Sequence, residues 1–331
     1  MGQLRSDYNV TEENFESLAQ YWLKPQIFLN WDSIFMLPPW LEVWREAFGS
    51  AADSCLYVVR RNDTVIGLAP LFFEGHEATL MGSTDVCDFV DFVIVPGEEN
   101  HFFFYLLDHL KQRGIRRLDL GLLRPDSTVR THLVPFADEN SYNISCEVED
   151  VSLEMDLPSS WEGYLGMLNG KQRHEVRRRL RRFREQGESS YRIIEDSKEV
   201  PEAMDLFLDF FRRSRNDKES YLTPKREAFF RAIAERTARE HFLRIGILDL
   251  ADKPVAAIMY FEYKDVVYLY NSGYDPQYGT LGAGLISKIL CIKDSTEKGR
   301  KKFDFLKGAE VYKYRLGGKE VPLDRCRITL V

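Results

Sequence analysis

The sequence predicts an α/β (α+β) protein built of two similar halves, each a mixed, mainly antiparallel sheet flanked by helices. Three observations carry this. Hairpin-like apolar runs recur at a fixed offset, helix–Gly–strand segments recur in the same order, and 331 residues leave room for two domains. In the first half, Leu56–Arg61 and Val65–Phe73 are two β-rich runs joined at Asn62-Asp63, a hairpin signal. Leu243–Leu250 and Val255–Tyr263 repeat it around Asp252-Lys253-Pro254, with Asp63 matching Asp252 and Gly67 matching Ala256 at an offset of 189. Further on, Gln112-Arg-Gly114…Asp119 matches Glu297-Lys-Gly299…Asp304 at an offset of 185. Each of these glycines stands where a helix end requires positive φ, with a basic cluster at the negative end of the helix dipole. Two blocks in one order at nearly equal offsets imply duplication.

The remaining elements follow from apolar spacing and from prolines that open helices. Helices are expected over 11–23, 38–48, 102–110, 158–184 (broken at Gly170), 201–213 and 224–239. The domain boundary falls between about 150 and 157, dividing the chain into 1–153 and 154–331.

Composition bounds the function classes. Hydrophobic residues at 44% and charged residues at 29% exclude disorder and small disulfide scaffolds. A net charge of −7 argues against coating nucleic acid or an anionic membrane, so any polyanion site is local. The five scattered cysteines show no zinc spacing, and reduced, buried thiols in a cytoplasmic protein are expected. No secretory h-region is evident, and the longest apolar stretches fall short of the ~20 residues that span a bilayer. Gly2 with Ser6 fits a myristoylation pattern, for which chance is the better explanation. The six histidines form no cluster, so no metal is assigned, and no Gly-x-Ser-x-Gly elbow exists.

The halves differ where a ligand would bind. After the strand Val266–Ser272, Gly279, Gly282 and Gly284 open a helix. Glycines at such a point let backbone N–H groups approach a pyrophosphate, aided by the helix dipole. The matching place in the first half holds Glu98-Glu99, which would repel phosphate. The loop is neither a Walker loop nor a good Rossmann fingerprint, and helix capping with close helix–strand packing explains it equally well.

One further segment stands out. Lys171–Arg184 carries a net +7 over fourteen residues of an acidic chain, with Val176, Leu180 and Phe183 forming one apolar seam. Solvated arginines on a surface helix are the plain reading, but the mutual repulsion favours an anionic ligand. CoA phosphates, a nucleotide-sugar or lipid-phosphate acceptor, and tRNA all qualify.

Tyr-x-x-Gly-Tyr-Asp-Pro, the glycine-rich helix start, Phe303–Gly308 and Tyr312-Lys313-Tyr-Arg315 resemble acyltransferases of the GNAT superfamily. More narrowly, with Pro39-Trp40, Ile66–Leu71 and Asp88-x-x-Asp91, they resemble the CelD/BcsL type associated with cellulose and exopolysaccharide biosynthesis. The resemblance spans nearly the whole chain and extends to the tandem layout of Fem-type transferases, which use aminoacyl-tRNA. It implies two tandem GNAT-like domains, the first degenerate, and an acyl-CoA co-substrate, acetyl-CoA foremost, held by Gln277, Gly279, Leu281, Gly282, Ala283 and Gly284. The family's Gln or Arg three residues before the first loop glycine is replaced by Gly279, with Gln277 out of register.

In such transfer an amine or hydroxyl attacks the thioester, backbone donors hold the oxyanion, and the thiolate takes a proton. The resemblance implies Tyr312 as acid, Lys313 and Lys307 as charge partners, and Asp304, Glu262, Asp88 or Asp91 as candidate bases. The plainer roles are architectural for Asp304, which mirrors Asp119, solvation for Glu262, and turn capping for Asp88 and Asp91. Lys171, Arg173, Arg177, Tyr270, Asn271, Tyr274 and Lys307 are the candidate substrate contacts, the acceptor being expected in a groove between the halves. The expected function is acyl transfer to an amine or hydroxyl, with a sugar or exopolysaccharide precursor among the acceptors. An aminoacyl-tRNA-dependent transferase and a non-catalytic subunit of a polysaccharide system are the alternatives.

Overall fold

The computed structural model describes residues 7–24, 28–50, 53–82, 86–214 and 216–330; Gly2 and Ser6 lie outside them. The chain divides into two compact units, residues 1–151 with 321–331, and residues 152–320. The first runs through β1 (Tyr8–Glu13), α1 (Glu16–Leu23), α2 (Pro38–Phe48), β2 (Ser54–Arg61), β3 (Thr64–Glu74), β4 (Glu77–Leu80) and β5 (Val93–Ile94). It continues with α3 (Glu99–Gln112), β6 (Arg117–Leu123), α4 (Val134–Glu139) and β7 (Asn143–Asp156), whose last residues enter the second unit. That unit holds α5 (Trp161–Met167), α6 (Gly170–Arg184), β8 (Ser189–Ile194), α7 (Val200–Ser214), α8 (Asn216–Tyr221) and α9 (Pro224–Arg239). It ends with β9 (Leu243–Leu250), β10 (Lys253–Tyr263), β11 (Val266–Tyr274), α10 (Ala283–Glu297), β12 (Lys302–Lys307), α11 (Val311–Arg315) and the start of β13 (Lys319–Thr329).

Strand order in the first unit is β1-β2-β3-β4-β6-β13-β7, with β5 on β3, and in the second β7-β12-β11-β10-β9-β8. The repeated pattern is present in both units. The hairpins β2–β3 and β9–β10 are each followed by a further strand, a helix ended by a positive-φ glycine (Gly114 and Gly299), and a strand. The hairpin turns are tight. Asn62 sits at φ 54° between the paired Arg61 and Thr64, and Ala251 and Asp252 at φ 48° and 59° between Leu250 and Lys253. The second turn is thus Ala251-Asp252, and Lys253 and Pro254 belong to the strand, with a register shift after Pro254 absorbing its missing donor.

The expected break of the 158–184 helix at Gly170 is present, and Asn169 caps α6 there in a reciprocal box with Gln172. Two sequence expectations need correction. Residues 11–13 are strand, not helix: β1 pairs with β2 from Tyr8↔Arg61 to Glu13↔Leu56, and this ladder overrides the local helical spacing. The thiols are not all reduced, since Cys146 and Cys326, 180 residues apart in sequence, form a disulfide, while Cys55, Cys87 and Cys291 are free and buried. Chain order hides that pair because β7 and β13 become neighbours only in the folded sheet. Among the described residues, no helix is long and apolar enough to cross a membrane.

Asp91 shows how the first unit secures a loop. Its carboxylate accepts from Thr128 N and Oγ at 2.7 and 2.6 Å and from Phe92 N at 2.9 Å, at the start of the helical segment leading into α4. Burial pushes the carboxyl up to about 6 against these donors. Asp91→Ala is expected to lower stability by about 1–2 kcal/mol, as the loss of a helix cap does. Urea denaturation measures this, and an unchanged midpoint would show that the cap contributes nothing.

Candidate active site

The site is framed by two neighbouring strands that separate. β11 and β12 are parallel and paired only from Val266↔Lys302 to Tyr268↔Asp304. Beyond that point both strands are deformed. β11 slips register against β10 between Met259 and Tyr260, leaving Tyr270 as the extra residue. β12 slips against β7 after Asp304, with Leu306 at φ 62°. The edge of β11 from Leu269 to Tyr274 therefore has no parallel ladder on the β12 side. Backbone N–H groups on such an edge can receive a carbonyl oxygen that gains charge.

Adjacent residues on β11 face opposite layers. A Cβ on Gly273 would lie 2.3 Å from Phe211 N, so glycine is what lets α7 pack against this strand. Tyr270 faces the same layer, its ring against Phe230 and Phe261. Ser272 faces α10, and its Oγ accepts from Lys288 Nζ at 2.8 Å.

The strand leads into α10 through a short helical turn, Pro276–Leu281, begun by Asp275, which accepts from Gln277 N and pairs with Arg213 at 3.2 Å. Gly282 then takes the left-handed conformation (φ 76°) at the helix start, with no side-chain cap. A Cβ there would stand 2.9 Å from Arg179 Nη1, so the basic helix α6 closes over the helix start. A Cβ on Gly284 would meet the Tyr274 ring at 2.8 Å, and Gly279 lies over the same ring. In the first unit the corresponding helix start is filled from within: Gly97 N donates to Glu99 at 2.9 Å.

The turn between β12 and α11 is held by two buried charged residues. Asp304 accepts from Leu306 N at 2.7 Å and from Ser152 Oγ at 3.1 Å. Lys313 donates to the carbonyls of Leu306, Lys307 and Gly308 at 2.5–3.0 Å and pairs with Glu310 at 2.9 Å. Between these anchors and α10 sits Tyr312, with Lys288 Nζ 4.9 Å from its ring centroid. Burial pushes the Tyr312 phenol upward, so it keeps its proton at neutral pH. A phenol that keeps its proton can pass it to a more basic group that forms beside it.

The structure thus gathers Asp304, Lys307, Tyr312, Lys313, Asn271, Tyr274 and the loop Gln277–Gly284 around the splay of one unit. Glu262 is elsewhere. It is buried at the base of the strands, opposite Val267, and is engaged by Arg300 at 2.7 Å and Arg244 at 3.4 Å. Arg300 follows the C-terminal end of α10, whose 15 residues span roughly 22 Å from the cradle. Asp88 and Asp91 belong to the first unit, where Asp91 is occupied as a cap. On α6, Arg177 pairs with Glu162 at 2.9 Å, while Lys171 and Arg173 lie on its first turns. Arg178 and Arg179 hold Glu175, whose carboxyl their hydrogen bonds draw down to about 2.

Sequence reading missed Arg179 and Lys288. A single lysine within the apolar run Leu285–Ile292 was the available signal for Lys288, whereas nothing separated Arg179 from its neighbours on α6. Lys313→Met is expected to cost about 2–4 kcal/mol, since it strands several buried acceptors. A change below about 0.5 kcal/mol in urea denaturation would contradict the clamp.

No curated protein matches the chain in sequence. Among solved structures, FemX superposes with a TM-score of 0.65 at 9% identity, covering 96% of each chain. A conserved protein of unknown function from Bacteroides thetaiotaomicron gives 0.64 at 13% identity, covering 97% of this chain and 99% of that one. The C-terminal domain of a putative lysylphosphatidylglycerol synthetase from Agrobacterium fabrum gives 0.53 at 10% identity, covering 80% and 81%. At these identities the likeness is one of fold. Residues 170–314, which hold α6, the splay, the glycine-rich start of α10 and Tyr312, match the model of the acetyltransferase (GNAT) domain family.

Proposed function

We propose that the second unit transfers an acyl group, acetyl foremost, from acyl-CoA to an amine or hydroxyl acceptor. The observation that carries this is the end of β11–β12 pairing at Tyr268/Asp304, on the strand that leads directly into the uncapped, left-handed Gly282 start of α10. The opening suits an extended thioester arm, and the helix start suits its pyrophosphate. Gly282, Ala283 and Gly284 would hold the pyrophosphate through backbone N–H groups, with Gln277, Gly279 and Leu281 forming the approach. Acyl-CoA supplies the activated carbonyl.

In this reading the free edge of β11 near the Tyr270 bulge receives the oxyanion, Tyr312 gives its proton to the departing thiolate, and the proton lost by the attacking acceptor returns the phenol to its protonated form. Asp304 and Lys313 act by positioning Tyr312, because their polar atoms are committed to the β12–α11 turn. A saccharide acceptor follows only from the resemblance to the CelD/BcsL type.

A second reading, aminoacyl-tRNA-dependent transfer, is supported by the fold likeness to FemX and by the cations of α6. Arg177, Arg181, Arg184 and Lys293 line an opening of about 510 Å³ beside Trp161. That reading predicts binding of charged tRNA that weakens steeply with salt.

Calorimetric titration of acetyl-CoA and free CoA separates the two. Micromolar binding to the wild type, lost in Gly282→Asp, is expected, since an aspartate at φ 76° would bring negative charge to the cradle and crowd Arg179. Absence of binding at millimolar ligand would overturn acyl-CoA transfer.

A further inference from the structure

We propose that Lys288 is a positioning residue for the transfer. Its ammonium fixes the Tyr312 ring and stabilises the phenolate left when Tyr312 gives its proton to the departing thiolate. The inference rests on the acyl-transfer reading and adds to it a residue that acts through Tyr312.

Lys288 stands on α10 between Ser287 and Ile289, both fully buried, and is itself only 8% exposed. An ammonium taken out of water costs free energy unless it is hydrogen-bonded. Nζ donates to Ser272 Oγ and to the Gly284 carbonyl, each at 2.8 Å. Both acceptors are neutral, so neither cancels the charge. One belongs to β11 and the other to the first turn of α10, and together they fix where the charge stands.

That place is beside Tyr312. Nζ lies 4.9 Å from the ring centroid, inside the ~6 Å over which an aromatic face holds a cation. The other buried charges of the turn are committed: Asp304 accepts from Leu306 N, and Lys313 pairs with Glu310 at 2.9 Å. Burial and the Glu310 charge both favour the protonated phenol. Release of its proton therefore needs an opposing charge, which Lys288 brings.

In the transfer the thioester C–S bond breaks with its electron pair on sulfur, sulfur takes the phenol proton, and the acceptor's proton restores the phenol. Between the last two events the ring bears a negative charge. The ammonium is then attracted to an anion rather than to a neutral ring, in surroundings of low dielectric. An interaction that strengthens as the proton leaves lowers the barrier of that step.

The test follows CoA thiol release from acetyl-CoA, with hydroxylamine, primary amines and amino sugars as acceptors. Wild type, Lys288→Met, Lys288→Gln, Lys288→Arg, Tyr312→Phe and the double variant Lys288→Met/Tyr312→Phe are compared. Methionine keeps the length of the side chain without its donors. Glutamine keeps a donor without the charge, and carries the comparison if the methionine variant fails to fold. Each neutral variant should lose about 10- to 100-fold in kcat, with KM for acetyl-CoA within about threefold, and Lys288→Arg should recover part of the loss. In the Tyr312→Phe background Lys288→Met should cost less than about twofold, because a residue acting through the phenol has nothing left to act on. Unchanged kcat in both neutral variants, or an equal loss with and without the phenol, would overturn the role of Lys288 and leave acyl transfer standing. Absence of CoA release by the wild type with every acceptor would overturn acyl transfer and this role with it.

Discussion

The separation of β11 from β12 is the constraint on which the site depends. Two parallel strands that stayed hydrogen-bonded to their ends would leave neither a free backbone edge nor space for an extended ligand. Here both strands are turned aside just after Tyr268 and Asp304, β11 by the Tyr270 bulge and β12 by the left-handed Leu306. A left-handed leucine is unfavourable by itself. It persists because Asp304 holds its N–H and Lys313 its carbonyl, two charged groups buried for that purpose. Burial of such groups is tolerated because their polar atoms are paired.

This arrangement changes the meaning of residues usually read as chemical. A buried aspartate and lysine on either side of a tyrosine suggest a proton relay, yet their hydrogen bonds are spent on backbone geometry. Tyr312, next to Lys288 and kept protonated by burial, is the group whose chemistry remains available. The two units make the same point by contrast. In the first, β4 and β6 also pair over only two residues, Glu77↔Arg117 and Ala78↔Leu118, but the helix that follows begins with Glu99 folded onto Gly97 N. An acid there does for the backbone what a phosphate would do. In the second unit the equivalent helix start carries glycines and faces an arginine.

The basic helix α6 owes its density of charge to three neighbourhoods. Its apolar seam, Val176 and Phe183, is buried. Part of its charge is neutralised locally through Glu162, Glu175 and Glu185. Arg179 and Lys171 are turned toward a cavity beside α10. A run of arginines thus resolves into packing stems, surface pairs and cavity-lining cations, a division that helical periodicity alone does not make.

Sequence by itself determined the two-unit α/β plan, both hairpins, the helix-ending Gly114 and Gly299, the glycine-rich start of α10 and the difference in charge between the two helix starts, because each is written in local spacing, glycine and charge. It did not determine β1, where pairing with β2 overrides a helical pattern, or the disulfide between Cys146 and Cys326. Nor did it separate Glu262, committed to Arg244 and Arg300, from the carboxylate that lies at the splay. Arg179 and Lys288 were equally hidden. Their surroundings depend on which side chains α6, α10, α11 and β11 present to one another, and that is decided by tertiary packing, across 103 positions for Arg179 and Gly282 and across 24 for Lys288 and Tyr312.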